Sequence, residues 1–178
     1  MKTWQMHELG DPWDVLRLDE VDPLVAAPGM VVVAVEAADL NFADILQCQG
    51  SYQVQMPTPF TPGMSGGGTI IAVGDNVDLA IGQRVLGMAS GTSGWFGEQA
   101  VLAAKDVTVI PDGVETRTAV AMHVTYGTSW FALHRRGNLQ PGETVLVLAA
   151  AGGVGSSAVQ MAKAHGCRVI AAAGGPDK

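Results

Sequence analysis

The chain has 178 residues, of which 48% are hydrophobic, and its 17 acidic against 10 basic side chains give a formal net charge of −7. That much apolar material supplies a packed core and excludes whole-chain disorder, and the length suits one domain or one and a fraction. No basic stripe is present, which excludes sequence-independent nucleic-acid binding, although an acidic chain can still hold an anion locally on backbone N–H groups.

The segment Met1–Glu20 turns acidic too early for a secretory or transit peptide, so a reducing, cytoplasmic setting is expected. A Val-rich strand is predicted over 30–38, entered through Pro28 and Gly29, and Asn41 to Cys48 reads as a short helix. Further short strands are predicted over 68–74, 83–88, 97–103 and 106–110, separated by Gly-rich turns and closed by Pro111, Asp112 and Gly113. Short strands at close spacing suggest a compact barrel or roll.

The second half changes character. Residues 115–122 and 125–136 read as helix, with Trp130, Phe131 and Leu133 able to share an inward face and Arg135 and Arg136 suiting a helix C-terminus. Residues 144–151 read as a strand covered on both faces, 154–165 as a helix with Val154, Ala158, Met161, Ala162 and His165 on one side, and 168–173 as a second buried strand. The boundary between the halves is placed near 111–116, giving domains 1–115 and 116–178. The span 144–162 carries no charge, but its glycines break the apolar run, so no membrane span is expected. Cys48 and Cys167 lie far apart and neither belongs to a C-x-x-C pair, which excludes a disulfide framework and a four-Cys zinc lobe.

Residues 144–173 thus form strand, Gly-rich turn, helix, strand. The turn Ala150-Ala151-Gly152-Gly153-Val154-Gly155 is the dinucleotide fingerprint G-x-G-x-x-G with Ala in first place. Gly152 lets the backbone approach a pyrophosphate and Gly155 lets the helix pack on the strand. The helix N-terminus then offers N–H groups and its positive dipole end. A structural Gly-rich turn is the plainer alternative. The neighbourhood past the glycines is Ala173 to Lys178, and the strand end itself lacks the carboxylate that NAD recognition places on the ribose 2′-OH. Small residues there leave room for a 2′-phosphate that Lys178 can neutralise, which favours NADPH; Asp177 argues the other way.

Five stretches resemble the quinone oxidoreductase branch of the medium-chain dehydrogenase/reductase superfamily. They are Asn41-Phe42-Ala43-Asp44 with Gln49 to Tyr52; Pro59 to Met64 with Gly66 and Gly68; Val77 to Val85; Val124 to Leu133; and Leu139 to Lys178. The resemblance implies an α/β plus β architecture, a GroES-like barrel followed by the beginning of a Rossmann domain, with the active site in the cleft between them. It implies an oxidoreductase using NADPH, with hydride delivered to a quinone or to the β-carbon of an α,β-unsaturated carbonyl, or alternatively to an enoyl thioester. A silent nucleotide-binding module is the alternative from outside enzymology.

A metal-free site is also implied, since the zinc branch needs a Cys near Ala38 and a His-Glu pair near Gly63-Met64, and both are missing. His7, His123, His134 and His165 show no ligand spacing. By motif position, Asn41 and Tyr52 match residues at the nicotinamide end and are the catalytic candidates, while Thr128 matches the threonine near the carboxamide. Gly152, Gly153, Val154 and Gly155 match the pyrophosphate turn, and Lys178 matches a basic residue beside the 2′-phosphate. Asn41 can instead cap its helix, Tyr52 can be half-buried core, and Thr128 can bond its own helix backbone. Asp44 reads as a structural hydrogen-bond acceptor. Ser65 departs from the family's Glu, and His123 from its Pro. A complete dinucleotide domain needs about six strands, so the sequence is expected to be a fragment of a form that is a homodimer when intact.

Overall fold

The computed structural model describes residues 1–89 and 91–175. The chain divides into two compact units, Met1–Ala121 and Met122–Lys178.

The first unit is built on a five-stranded antiparallel sheet. Its strands are β3 (Met30–Ala38), β4 (Ser65–Val73), β5 (Arg84–Met88), β6 (Gln99–Ala103) and β7 (Val107–Val109), in the order β6-β3-β4-β5-β7. The register of β3 on β4 shifts between Val32 and Val33 and again between Val35 and Ala37. Such bulges bend and twist a strand, and here they curl the sheet around its core. Val31 and Val33, on one face of β3, share that core with Ile70, Val85, Trp95, Ala100 and Leu102, and Val32 on the other face is equally buried. Trp95 lies flat against Gly66, where a Cβ would stand 2.6–2.7 Å from three indole carbons.

An antiparallel hairpin, β1 (Lys2–Met6) with β2 (Leu16–Glu20), was not foreseen. The short helix α1 (Pro12–Val15) separates its strands, capped by Asp11, whose side chain accepts from the Trp13 N–H. Helix α2 (Phe42–Cys48) forms where expected, and a second core of Met6, Val15, Cys48 and Phe60 gathers α1, α2 and β1.

Helix α3 (Thr116–Trp130) is continuous across the break expected near 123, and widens into a π-helical turn over Phe131–Arg136. The inward face expected of Trp130 and Phe131 is not observed: both are about half exposed and lie under the guanidinium groups of Arg135 and Arg136. Ser129 is the buried residue of that stretch, at 1% exposure.

In the second unit, β8 (Thr144–Val147) and β9 (Arg168–Ala171) pair in parallel around α4 (Gly153–Ala164). The strand expected over 144–151 stops four residues early. Nor is it covered on both faces, because Leu146 and Leu148 are 59% and 71% exposed. On α4 the most buried residues are Gly155, Ser157 and Ala162, while Val154, expected inside, is 44% exposed.

Candidate functional site

The Gly-rich turn of the second unit is shaped by one non-glycine residue. Ala149 sits in the left-handed region at φ 51°, so the chain leaves β8 sharply. The turn remains tied to β9: the Ala172 N–H donates to Val147 O at 2.9 Å and the Ala150 N–H to Ala172 O at 3.0 Å. Gly152 caps α4 in extended conformation without a side-chain cap, and the first helical bond runs from Ser156 N–H to Gly152 O at 2.8 Å. Helix geometry therefore leaves the N–H groups of Gly153, Val154 and Gly155 with no intrahelical acceptor, at the positive end of the dipole.

Each glycine has a distinct reason to be one. A Cβ on Gly155 would collide with the Ala149 carbonyl oxygen and stand 2.8 Å from Ala150 Cα, so α4 can pack this closely only on glycine. A Cβ on Gly152 would meet only Ala149 O, at 3.3 Å, and one on Gly153 only Thr125 Cγ2, at 3.0 Å. Both positions are exposed, but Gly153 is held close to Thr125, and it is Gly152 whose bare backbone leaves a cradle that a side chain would fill. The residues present fit the pyrophosphate of a nicotinamide dinucleotide.

In the first unit, Asn41 starts α2 in extended conformation, and its N–H donates to Asp44 Oδ2 at 2.7 Å. The other oxygen of Asp44 accepts from the Met64 N–H at 2.8 Å. One buried carboxylate, 4% exposed, thereby joins the start of α2 to the loop entering β4. Burial pushes the Asp44 carboxyl above the usual range; the N–H groups of Asn41 and Met64 oppose this, and the nearby Asp39 adds to it. The carboxamide nitrogen of Asn41 is buried with no hydrogen-bond partner among the described residues. A donor held without an acceptor inside a protein is costly unless something else supplies one. Tyr52 follows α2, half-buried, with its N–H on Leu46 O at 3.2 Å.

Thr128 lies on the exposed side of α3, in the second unit. Lys178 and its neighbours Pro176 and Asp177 lie outside the described residues. His7 pairs with Asp19 at 2.6 Å, and His165 contacts Leu139 O at 3.1 Å. Among the described residues no three His, Cys, Asp or Glu side chains group closely enough to hold a metal ion, and no helix is long and apolar enough to cross a membrane. The first unit also has an open apolar groove of about 850 Å³ beside Trp4, Trp13, Leu40 and Trp95, and neither Asn41 nor Tyr52 lines it.

The structure thus brings Gly152 to Gly155 together in one unit and sets Asn41 beside Asp44 in the other. The sequence reading missed the link from Asp44 to Met64, which is 20 residues away and carries no local signal. It also missed Ser129 and Ser157, whose only signal was polarity at inward helical positions.

Residues 27–112 match the alcohol dehydrogenase GroES-like domain. The chain is similar to quinone oxidoreductase-like protein 2 of Bos taurus, 44% identical over 165 residues, which is 92% of this chain and 47% of that protein. Among solved structures, the quinone oxidoreductase of Thermus thermophilus, solved also in complex with NADPH, is 36% identical at TM-score 0.84, over 99% of this chain and 55% of that one. The CurK enoyl reductase is 27% identical at TM-score 0.85, over 99% and 55%. The chain spans about half the length of the curated relatives it matches. The GroES-like match and these likenesses agree: residues 27–112 carry an alcohol dehydrogenase GroES-like domain, and the chain resembles quinone oxidoreductases over about half of their length.

Proposed function

We propose that the chain carries the cofactor turn and the substrate-facing residues of an NADPH-dependent, zinc-independent reductase of quinones or α,β-unsaturated carbonyls. The observation that carries the reading is the turn at Gly152–Gly155, where Gly152 presents open backbone and three N–H groups lack helical acceptors. The relatives named for quinone reduction, and the neighbour solved with NADPH, support it.

Bound NADPH supplies the hydride. The backbone of Gly152 to Gly155 would hold the pyrophosphate, and Thr128, by motif position, would serve the nicotinamide carboxamide. Lys178 neutralises the 2′-phosphate. Asn41, whose carboxamide nitrogen lacks a partner among the described residues, or Tyr52 would donate to the acceptor's carbonyl oxygen, where reduction would build negative charge. The protein's own contribution is orientation and charge stabilisation.

A second reading, an enoyl-thioester reductase on the same scaffold, is favoured by the likeness to the CurK enoyl reductase. NADPH consumption at 340 nm with 1,4-benzoquinone and with a crotonyl thioester separates the two. Turnover of the quinone supports the first reading and turnover of the thioester alone the second. A folded chain that binds NADPH and turns over neither is a nucleotide-binding module.

A further inference from the structure

Two hydroxyls of the second unit are sealed from solvent where α3 meets α4. Ser129 and Ser157 are each 1% exposed, with their Oγ atoms 2.7 Å apart. Ser129 Oγ also reaches Val154 O at 2.9 Å, and Ser157 Oγ reaches Val154 O at 2.9 Å and Thr125 O at 3.0 Å. Two hydroxyl hydrogens serve these four contacts, so two are donated at any moment. Both acceptors of the Ser129 hydrogen, Val154 O and Ser157 Oγ, belong to α4. Whichever arrangement holds, at least one hydrogen bond links α3 to the first two turns of α4.

The carbonyl so gripped is that of Val154, inside the Gly-rich turn, and α3 also comes up against Gly153, where a Cβ would stand 3.0 Å from Thr125 Cγ2. A second crossing bond, Tyr126 Oη to Gln160 Oε1 at 2.9 Å, lies further along and is exposed. Helix starts fray because their first N–H groups make no helical bonds. Here the fraying end is clasped from beside.

We infer that Ser129 and Ser157 are positioning residues for the cofactor: their clasp on the Val154 carbonyl fixes the first turn of α4 and so aims the N–H groups of Gly153, Val154 and Gly155. The inference rests on the cofactor reading of that turn. Neither side chain touches the ligand; each acts through the backbone it holds.

The test compares Ser129→Ala, Ser157→Ala and the double variant with the parent chain. One arm is amide hydrogen exchange along α4, and the other is NADPH affinity by cofactor fluorescence. The inference predicts a fall in protection of about tenfold at Ser156, the first bonded amide of α4, with Met161 and Ala162 unchanged, and an NADPH Kd raised about tenfold. Ser129→Ala and the double variant should resemble one another, because Ser129 carries the crossing bond to Val154 O, and Ser157→Ala, which leaves that bond in place, should have the smaller effect. Protection lost evenly along α4 marks a merely structural role and overturns the inference, as does parent-like affinity in all three variants. No NADPH binding by the parent chain refutes the cofactor reading itself, and the exchange arm then still decides whether the clasp exists.

Discussion

Gly152 and Gly155 occupy the same turn yet answer to different constraints, so replacing each by alanine should separate folding from binding. At Gly155 the new Cβ meets backbone: the Ala149 carbonyl oxygen, its carbon at 2.9 Å and Ala150 Cα at 2.8 Å. Nothing there rotates away, so the start of α4 must lift by about an ångström. Overpacking against backbone that cannot rotate away sits at the upper end of about 1–3 kcal/mol, and alanine's better helix propensity returns up to about 1 kcal/mol. A net loss of about 2 kcal/mol lowers Tm by roughly 4–8 °C in a chain of this size. Gly152 is extended, at φ −79° and ψ 170°, a conformation alanine adopts freely, and its Cβ meets one oxygen at 3.3 Å. Gly152→Ala should leave Tm within about 2 °C, since a substitution in a compatible conformation shifts stability by less than about 1 kcal/mol. The methyl occupies the approach of the pyrophosphate, so NADPH affinity should fall at least about tenfold, or about 1.4 kcal/mol. Thermal unfolding and cofactor fluorescence on the two variants check this. A Gly155→Ala chain as stable as the parent, or a Gly152→Ala chain that binds NADPH equally well, would refute the reasoning.

Other consequences concern the first unit. The Asp44 carboxyl is raised by burial, so the folded state holds its proton more firmly than the unfolded chain, whose value lies near 3.8. Its contribution to stability is therefore largest below that value and declines as pH rises through the folded one. Denaturant unfolding from pH 3 to 7 should show the parent losing stability relative to Asp44→Asn as pH increases; the opposite slope would contradict the assignment. Cys48 is buried, and burial followed by the charge of Asp44 pushes its thiol up, so thiol-specific reagents should modify it in the folded chain only at the rate of opening. Prompt labelling would show the second core to be looser than described. Gly66→Ala forces a methyl into the Trp95 ring and should cost about 2–3 kcal/mol in denaturant unfolding; an unaltered midpoint would mean that the indole is free to move.

The legibility of the fold follows how local its causes are. Residues 30–38 announce a strand by valine content and Pro-Gly entry, and Asn41 to Cys48 a helix by cap and length; both form there. The β1–β2 hairpin escaped notice because its strands mix charged and apolar residues and a helical turn intervenes in place of a two-residue loop. The strand read over 144–151 overran because Ala149, and not a glycine, makes the turn at positive φ. In the candidate site, the glycine pattern was visible since each glycine answers to backbone geometry a few residues away. The Ser129–Ser157 clasp spans 28 positions, and serine in a helix ordinarily reads as surface. Asp44 read as a hydrogen-bond acceptor, but that it reaches Met64 emerges only once β4 is folded beside α2.

The central claim is that the turn at Gly152–Gly155 holds a phosphorylated nicotinamide dinucleotide, and fluorescence titration of the 178-residue chain with NADPH, repeated with NADH, tests it most directly. Saturable binding should be at least about tenfold tighter for NADPH, the ratio that one added 2′-phosphate contact of about 1.4 kcal/mol provides. A folded chain that binds neither, or that prefers NADH, would contradict it.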